Sequence, residues 1–298
     1  MTLDGQSPPG LAPSRPVDAH KGTFGTVMVI GGCDDPDSCM VGGPAFSAHG
    51  ALRSGAGRVV MATPRGILGH CLEVAPSATG MPIDSIPFDD HDQLRERLNE
   101  FQAIVLGPGL GSGSEAEHSV RSVLACGTAT PVVLDADGLN IASRFPEWIV
   151  RAGCPLVLTP HPGEYERFAA AMGLPASPRS EVGRLEAASD LSRGLGVVAV
   201  LKGMGTVVAF EDSAWVCTRG TPALATAGTG DVLSGIIAGL VAQEGAEAPS
   251  VLWKTACLAV WIHAVSAERW SLGNGESGLM AVELAGEVPA VMKSLPRS

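Results

Sequence analysis

Strand-sized apolar runs recur along the chain at 27–31, 58–62, 103–107, 131–135, 156–159 and 197–201. They are short and lack polar alternation, which predicts strands buried on both faces. Helix-length segments at 42–55, 91–100, 114–126 and 162–172 separate most of them. Strand–helix alternation of this kind predicts an α/β fold, a mainly parallel central sheet with helices on both faces. The last third differs. Runs at 205–210 and 214–217 predict a hairpin around Glu211-Asp212-Ser213, followed by helices near 229–243, 249–271 and 279–290. Residues 1–16 carry Pro8, Pro9, Pro13 and Pro16 with little apolar pattern, so they are expected to form a flexible tail ahead of one domain at 17–298.

In parallel sheets, ligands bind beyond the carboxyl ends of the strands. Unusual residues cluster at those positions: Gly31-Gly32, Gly107-Pro108-Gly109-Leu110-Gly111, Asp135-Ala136-Asp137 and Thr159-Pro160-His161.

Composition narrows the classes. The 298 residues are 45% hydrophobic and 17% charged, a globular balance. A net charge of −11 argues against a nucleic-acid partner, which needs a Lys/Arg excess. An acidic protein can still bind a nucleotide where backbone amides and a metal ion meet the phosphates. The seven cysteines form no CxxC pair, so neither a zinc site nor a disulfide framework is indicated and a reducing, cytoplasmic setting is expected. No uninterrupted apolar run reaches the ~18 residues of a membrane span, and no signal-peptide pattern opens the chain.

Gly228-Thr229-Gly230-Asp231 opens an apolar helical pattern in which Val232, Leu233, Ile236, Ile237, Leu240 and Val241 form a stripe. Ser234, Gly235, Ala238 and Gly239 lie opposite and leave room for a close neighbour. Free N–H groups at such a helix start, with the helix dipole behind them, make an anion hole for a phosphoryl group in flight. Asp231 could accept a proton from an attacking hydroxyl. An N-cap carboxylate with two turn glycines is the other reading of the same four residues.

Upstream stand Leu201-Lys202-Gly203-Met204-Gly205-Thr206 and Thr221-Pro222-Ala223-Leu224-Ala225-Thr226-Ala227. With these the chain resembles the ribokinase-like kinases, and specifically their NAD(P)H-hydrate dehydratase branch. His20-Lys21-Gly22-Thr23-Phe24-Gly25, Ala51-Leu52-Arg53-Ser54-Gly55-Ala56-Gly57, the 107–111 glycine loop, Leu134-Asp135-Ala136-Asp137-Gly138-Leu139-Asn140 and Leu158-Thr159-Pro160-His161-Pro162-Gly163-Glu164 extend the match from about 19 to 290 in the family's order. The resemblance implies phosphorylation of the C6 hydroxyl of hydrated NADH or NADPH by ADP or ATP, then loss of phosphate to restore the ring. It implies Asp231 as base, Gly228 and Gly230 as anion hole, and Lys202, Gly203, Met204, Gly205, Thr206 and Gly230 around the nucleotide. Gly109, Gly111, His161 and Asp231 would contact the hydrate. Glu164 and Asp135 would organise Mg2+. A departure occurs at Gly43-Pro44, where the family usually has Gly-Ala, so Pro44 takes the place of that substrate contact. ADP as donor and a homo-oligomer, with a tetramer as the candidate assembly, are also implied. With only 19 residues ahead of His20, an epimerase is expected to be a separate protein.

Three other readings compete. Gly111-Ser112-Gly113-Ser114-Glu115-Ala116 satisfies a dinucleotide fingerprint, with Asp135 24 residues beyond Gly111, as in an oxidoreductase. A hydroxyethylthiazole or hydroxymethylpyrimidine kinase would share the fold, and a catalytically silent nucleotide sensor would need no Asp231.

Overall fold

The computed structural model describes residues 5–176, 180–245 and 248–297. Its first half runs β1 (Thr26–Ile30), β2 (Cys33–Asp35), β3 (Ser38–Met40), α1 (Gly42–Ser54), β4 (Arg58–Thr63), α2 (Arg65–Val74) and β5 (Thr79–Pro82), then α3 (His91–Leu98), β6 (Ala103–Leu106), α4 (Ser114–Ala125) and β7 (Val132–Leu134). Next come α5 (Asp137–Ala142), α6 (Pro146–Val150), β8 (Leu156–Leu158), α7 (Pro162–Met172), α8 (Glu181–Leu195) and β9 (Val198–Leu201). The hairpin of β10 (Thr206–Phe210) and β11 (Ser213–Cys217) precedes α9 (Thr229–Glu244), α10 (Pro249–Asn274) and α11 (Ala281–Ser294).

Nine strands form one sheet in the order β11-β10-β9-β8-β7-β6-β1-β4-β5. All pairings from β9 to β5 are parallel, and β10 and β11 add an antiparallel edge. The chain starts in the middle at β1, builds outward through β4 and β5, and then crosses back to lay β6 on β1's other side. That reversal opens a crevice at the carboxyl ends of β1 and β6, the place where open α/β sheets hold ligands. The glycine clusters meet there: the Gly32 N–H donates to the Pro108 carbonyl oxygen at 2.9 Å.

Period-two alternation divides the core. Val27 and Val29 of β1 join a cluster with α1, α9, α10 and α11, while Met28 and Ile30 face one built with α3 to α8. The small residues of α9 do bring a neighbour close. A Cβ on Gly235 would stand 2.8 Å from the carbonyl carbon of Ser47 on α1, and the Ser47 and Ser234 hydroxyls meet at 3.2 Å. By length and apolar content α10 could cross a membrane, yet 72% of its most apolar window is buried inside the fold.

Residues 1–4 of the expected flexible tail lie outside the described residues. Residues 5–16 lie against the fold. The Trp261 indole N–H donates to the Gln6 carbonyl oxygen at 3.0 Å, Ala12 is buried and bridges Arg297, and Arg15 lies over the Phe24 ring. Polar backbone and two side-chain anchors hold this stretch, which is why apolar periodicity does not register it.

Candidate active site

The site is built at the strand carboxyl ends, around the first turn of α9. Gly228 is the N-cap residue of α9, with φ of 88°, a left-handed conformation that favours glycine. A Cβ there would also come within 2.6 Å of the Phe46 ring. No side chain caps this helix end, and among the described residues the Gly230 and Asp231 N–H groups meet no backbone or side-chain acceptor. The first turn of α9 therefore presents free donors and the positive end of a 16-residue dipole. The N-cap-carboxylate reading of Asp231 does not hold, because Gly228 occupies the cap and Asp231 lies inside the first turn.

Asp231 is half-buried in the first turn of α9. Burial, followed by the charge of Asp135, pushes its carboxyl up to about 8, against the opposing pull of Lys202. Lys202, at the end of β9, places its Nζ 2.8 Å from Asp135 Oδ1 and 3.9 Å from Glu164 Oε2. A Cβ on Gly230 would stand 3.3 Å from that Nζ, so the ammonium lies directly against the α9 entry. Burial disfavours the charged ammonium, yet the carboxylates around it win and raise its pKa. Asp135 Oδ2 is buried with no hydrogen-bond partner. The link from Asp135 to Asp137 is strained: Ala136 adopts φ of 49° and ψ of −120°, a region that non-glycine residues rarely enter.

The 202–206 turn uses Gly203 (φ 140°) and Gly205 (φ 66°), exposes Met204, and closes with the Thr206 hydroxyl donating to the Gly203 carbonyl oxygen at 2.9 Å. Behind it, the buried Arg184 guanidinium donates to the Leu201 and Lys202 carbonyl oxygens at 3.0 and 3.1 Å. Arg184 is absent from the sequence reading, as is His263. The His263 ring meets the Thr229 carbonyl oxygen at 2.9 Å, and burial pushes its pKa down to about 4, so it stays neutral. Neither residue lies in a motif, and only the packing of α8 and α10 brings them in.

His161 caps α7. Its Nδ1 accepts from the Gly163 and Glu164 N–H groups at 3.0 and 3.3 Å, while Glu164 Oε2 accepts from the His161 N–H at 2.7 Å. Burial, then Lys202, lowers the His161 pKa, so the ring is neutral with its proton on Nε2. Glu164 is buried, which raises its carboxyl to about 7. Gly109 and Gly111 have positive φ, and the Gly111 N–H donates to Asp137 Oδ2 at 2.9 Å. Pro44 begins the buried face of α1 beside Gly43, where a Cβ would stand 2.8 Å from the Pro108 carbonyl carbon. The fold thus gathers Asp231, Gly228, Gly230, Lys202, Asp135 and Glu164 into one cluster, with His161 at its margin. Gly109, Gly111 and Pro44 lie along the adjoining β1–β6 crevice. A groove of about 710 Å³ continues from there, lined in part by Ser112, Asp137, Asn140 and Arg167.

The dinucleotide fingerprint does lie between β6 and α4, but the first turn of α4 carries Glu115 and Glu117, which oppose a pyrophosphate there.

Residues 27–290 match the family described as NAD(P)H-hydrate dehydratase. The chain belongs to this family. It is 36% identical to the ADP-dependent (S)-NAD(P)H-hydrate dehydratase of Bacillus subtilis, covering 94% of each chain. It is 38% identical to a bifunctional NAD(P)H-hydrate repair enzyme of Coxiella burnetii, over 92% of this chain. The chain spans about half the length of the bifunctional relatives it matches, 51% of that one and 52% of another. In structure it is similar to the Bacillus subtilis ADP/ATP-dependent dehydratase co-crystallized with ATP/Mg2+, with TM-score 0.76, 33% identity and coverage of 95% and 94%. A hydroxyethylthiazole kinase of Pyrococcus horikoshii, at 17% identity and TM-score 0.64, shares the ribokinase-like fold.

Proposed function

We propose that the protein repairs hydrated NADH and NADPH, spending a nucleoside di- or triphosphate to remove the added water. The uncapped first turn of α9, with the half-buried Asp231 in it, carries this reading. Phosphoryl transfer asks mainly for positioning and for electrostatic stabilisation of charge on the transferring group, which free amide donors at a helix start provide. A carboxyl with a pKa of about 8 is matched to taking a hydroxyl proton near neutral pH.

In this mechanism the 202–206 turn holds the nucleotide so that its terminal phosphorus faces the Gly228–Asp231 amides. Asp231 takes the proton from the C6 hydroxyl, whose oxygen bonds to that phosphorus as the bridging P–O bond breaks, leaving AMP from ADP or ADP from ATP. The ring nitrogen then pushes out the C6 phosphate, and loss of a C5 proton restores the double bond. Hydroxide would leave poorly; phosphate leaves well. The rest of the dinucleotide lies over Gly109 and Gly111, with His161 Nε2–H as a donor and the adjoining groove as its continuation.

Magnesium belongs to the proposal. The unpartnered Asp135 Oδ2 is the kind of hard oxygen donor that Mg2+ takes alongside phosphates, and Glu164 stands across Lys202 from it. Among the described residues no group of three or more His, Cys, Asp or Glu could hold a metal by itself, which suits an ion carried largely by the nucleotide. When bound, it would neutralise phosphate charge. The test is recovery of the reduced-nicotinamide absorbance from hydrated NADH or NADPH with ADP or ATP and magnesium, with nucleotide product and phosphate in equal amounts. Recovery without nucleotide would sink the phosphorylation step. No recovery, with phosphorylation of a thiazole or pyrimidine alcohol instead, would transfer the protein to the vitamin-precursor kinases.

A further inference from the structure

The end of the molecule opposite the active site carries a pocket of about 360 Å³ with a different electrostatic character. Pro13 and Arg15 of the N-terminal stretch, Leu52, Arg53, Ser54 and Gly55 at the end of α1, Pro289, Met292 and Lys293 of α11, and Arg297 line it. Among the described residues, four cations and no carboxylate line this cavity, in a chain where 31 acidic residues outnumber 20 basic ones. They come from three separate segments, 13–15, 52–55 and 289–297, so the cluster is made by the fold.

The partial negative charge at the C-termini of α1 and α11 accounts for one cation each, and Arg53 and Lys293 stand in those last turns. Arg15 and Arg297 go beyond that. Arg15 is fixed in place: it lies 3.9 Å over the Phe24 ring and donates to the Gly55 carbonyl oxygen and to Gln243. Among the described residues none of the four cations has a carboxylate within ion-pair distance. Burial, and then the charge of Arg297, lowers the Arg15 pKa, the mark of two cations held close together. Guanidinium forks suit phosphate oxygens, and several cations around one cavity concentrate anions there.

We propose that this pocket is a second ligand site, distinct from the active site, for a compact anion bearing two or more phosphate groups. No aromatic side chain lines the cavity, so there is no platform on which a base could stack. The chemistry favours inorganic pyrophosphate or a small diphosphate ester over a nucleotide. Because the ligand would touch both the N-terminal stretch and α11, binding would fasten them together.

The test uses the full-length protein with its active site pre-saturated with ADP and excess magnesium, and inorganic pyrophosphate as the probe. Calorimetry and thermal unfolding should show one further saturable site that weakens as salt rises. R53E/K293E should bind pyrophosphate roughly 100-fold more weakly, since two charge-assisted contacts are lost. R53Q/K293Q, which removes charge without reversing it, should weaken binding in the same direction and covers the case of a poorly folded double-Glu variant. Absence of any saturable site beyond the nucleotide's, or affinity unchanged in both double variants, overturns the proposal.

Discussion

At the scale of single residues, the site is governed by closely packed carboxylates, Asp135 and Glu164 buried and Asp231 half-buried. Asp231 has a folded-state pKa near 8 and an ordinary value of 3.8, so between those pH values the folded protein binds a proton that the unfolded chain has released. That contribution lowers stability as pH rises from about 4 to about 8 and levels off above. Asp231→Asn should therefore lose turnover by roughly 10²- to 10⁴-fold, as expected on removal of a general base. Its melting temperature should exceed that of the parent by a margin that widens up to pH 8. A variant that is inactive but shows no pH-dependent gain would place the carboxyl in a more solvated setting than its geometry indicates. Lys202→Met poses the converse case, leaving Asp135 buried without its 2.8 Å partner. Breaking one side of a buried pair costs about 3–5 kcal/mol, so denaturant unfolding should show a loss of that order, together with weaker nucleotide binding. His263 has the opposite pH sign to Asp231. Its pKa is depressed to about 4, so its contribution is full above pH 6.5 and disappears as pH falls toward 4.

Helices and strands show which parts of the sequence spoke clearly. The strands buried on both faces were legible because continuous apolar runs have few other uses, and α9 because its stripe and glycine start occur together. α2 buries only Ile67 and Cys71 and contains two glycines, which leaves little periodicity to find. β5 is an edge strand of four residues with Gly80 and Pro82, a composition that marks loops as often as strands. In the site, motif positions such as Asp231 and Lys202 were readable. Arg184 and His263 were not, since their roles depend on carbonyl groups contributed by distant segments. Nor does any pattern announce the strain at Ala136. The α1–α9 contact supplies a prediction of its own. Gly235 packs against the Ser47 carbonyl with no room for a methyl group, so Gly235→Ala should destabilise by about 1–3 kcal/mol despite its better helix propensity. Unfolding in urea would measure it, and a stabilised variant would mean that α1 can retreat freely.

The molecule as a whole is closed by its two ends. Residues 5–16 contribute the Gln6–Trp261 hydrogen bond, the buried Ala12 and the Arg15–Phe24 contact. Removing residues 1–15 should lower stability by about 2 kcal/mol, or roughly 3 °C for a chain of this size, where a free tail would leave the melting temperature unchanged. The Ala12 N–H donates to the Pro296 carbonyl oxygen at 2.8 Å, and Arg15 reaches Gly55, at the end of the sheet away from the α9 entry. Gln6 reaches the other end of the sheet, where its side-chain amide donates to the Thr218 hydroxyl at 2.7 Å. Residues 5–16 thus act as a strap anchored at both ends of the sheet, so a pull on Gln6 would load Thr218, next to the Cys217–Thr206 pair, before it reached the Ala12 contact.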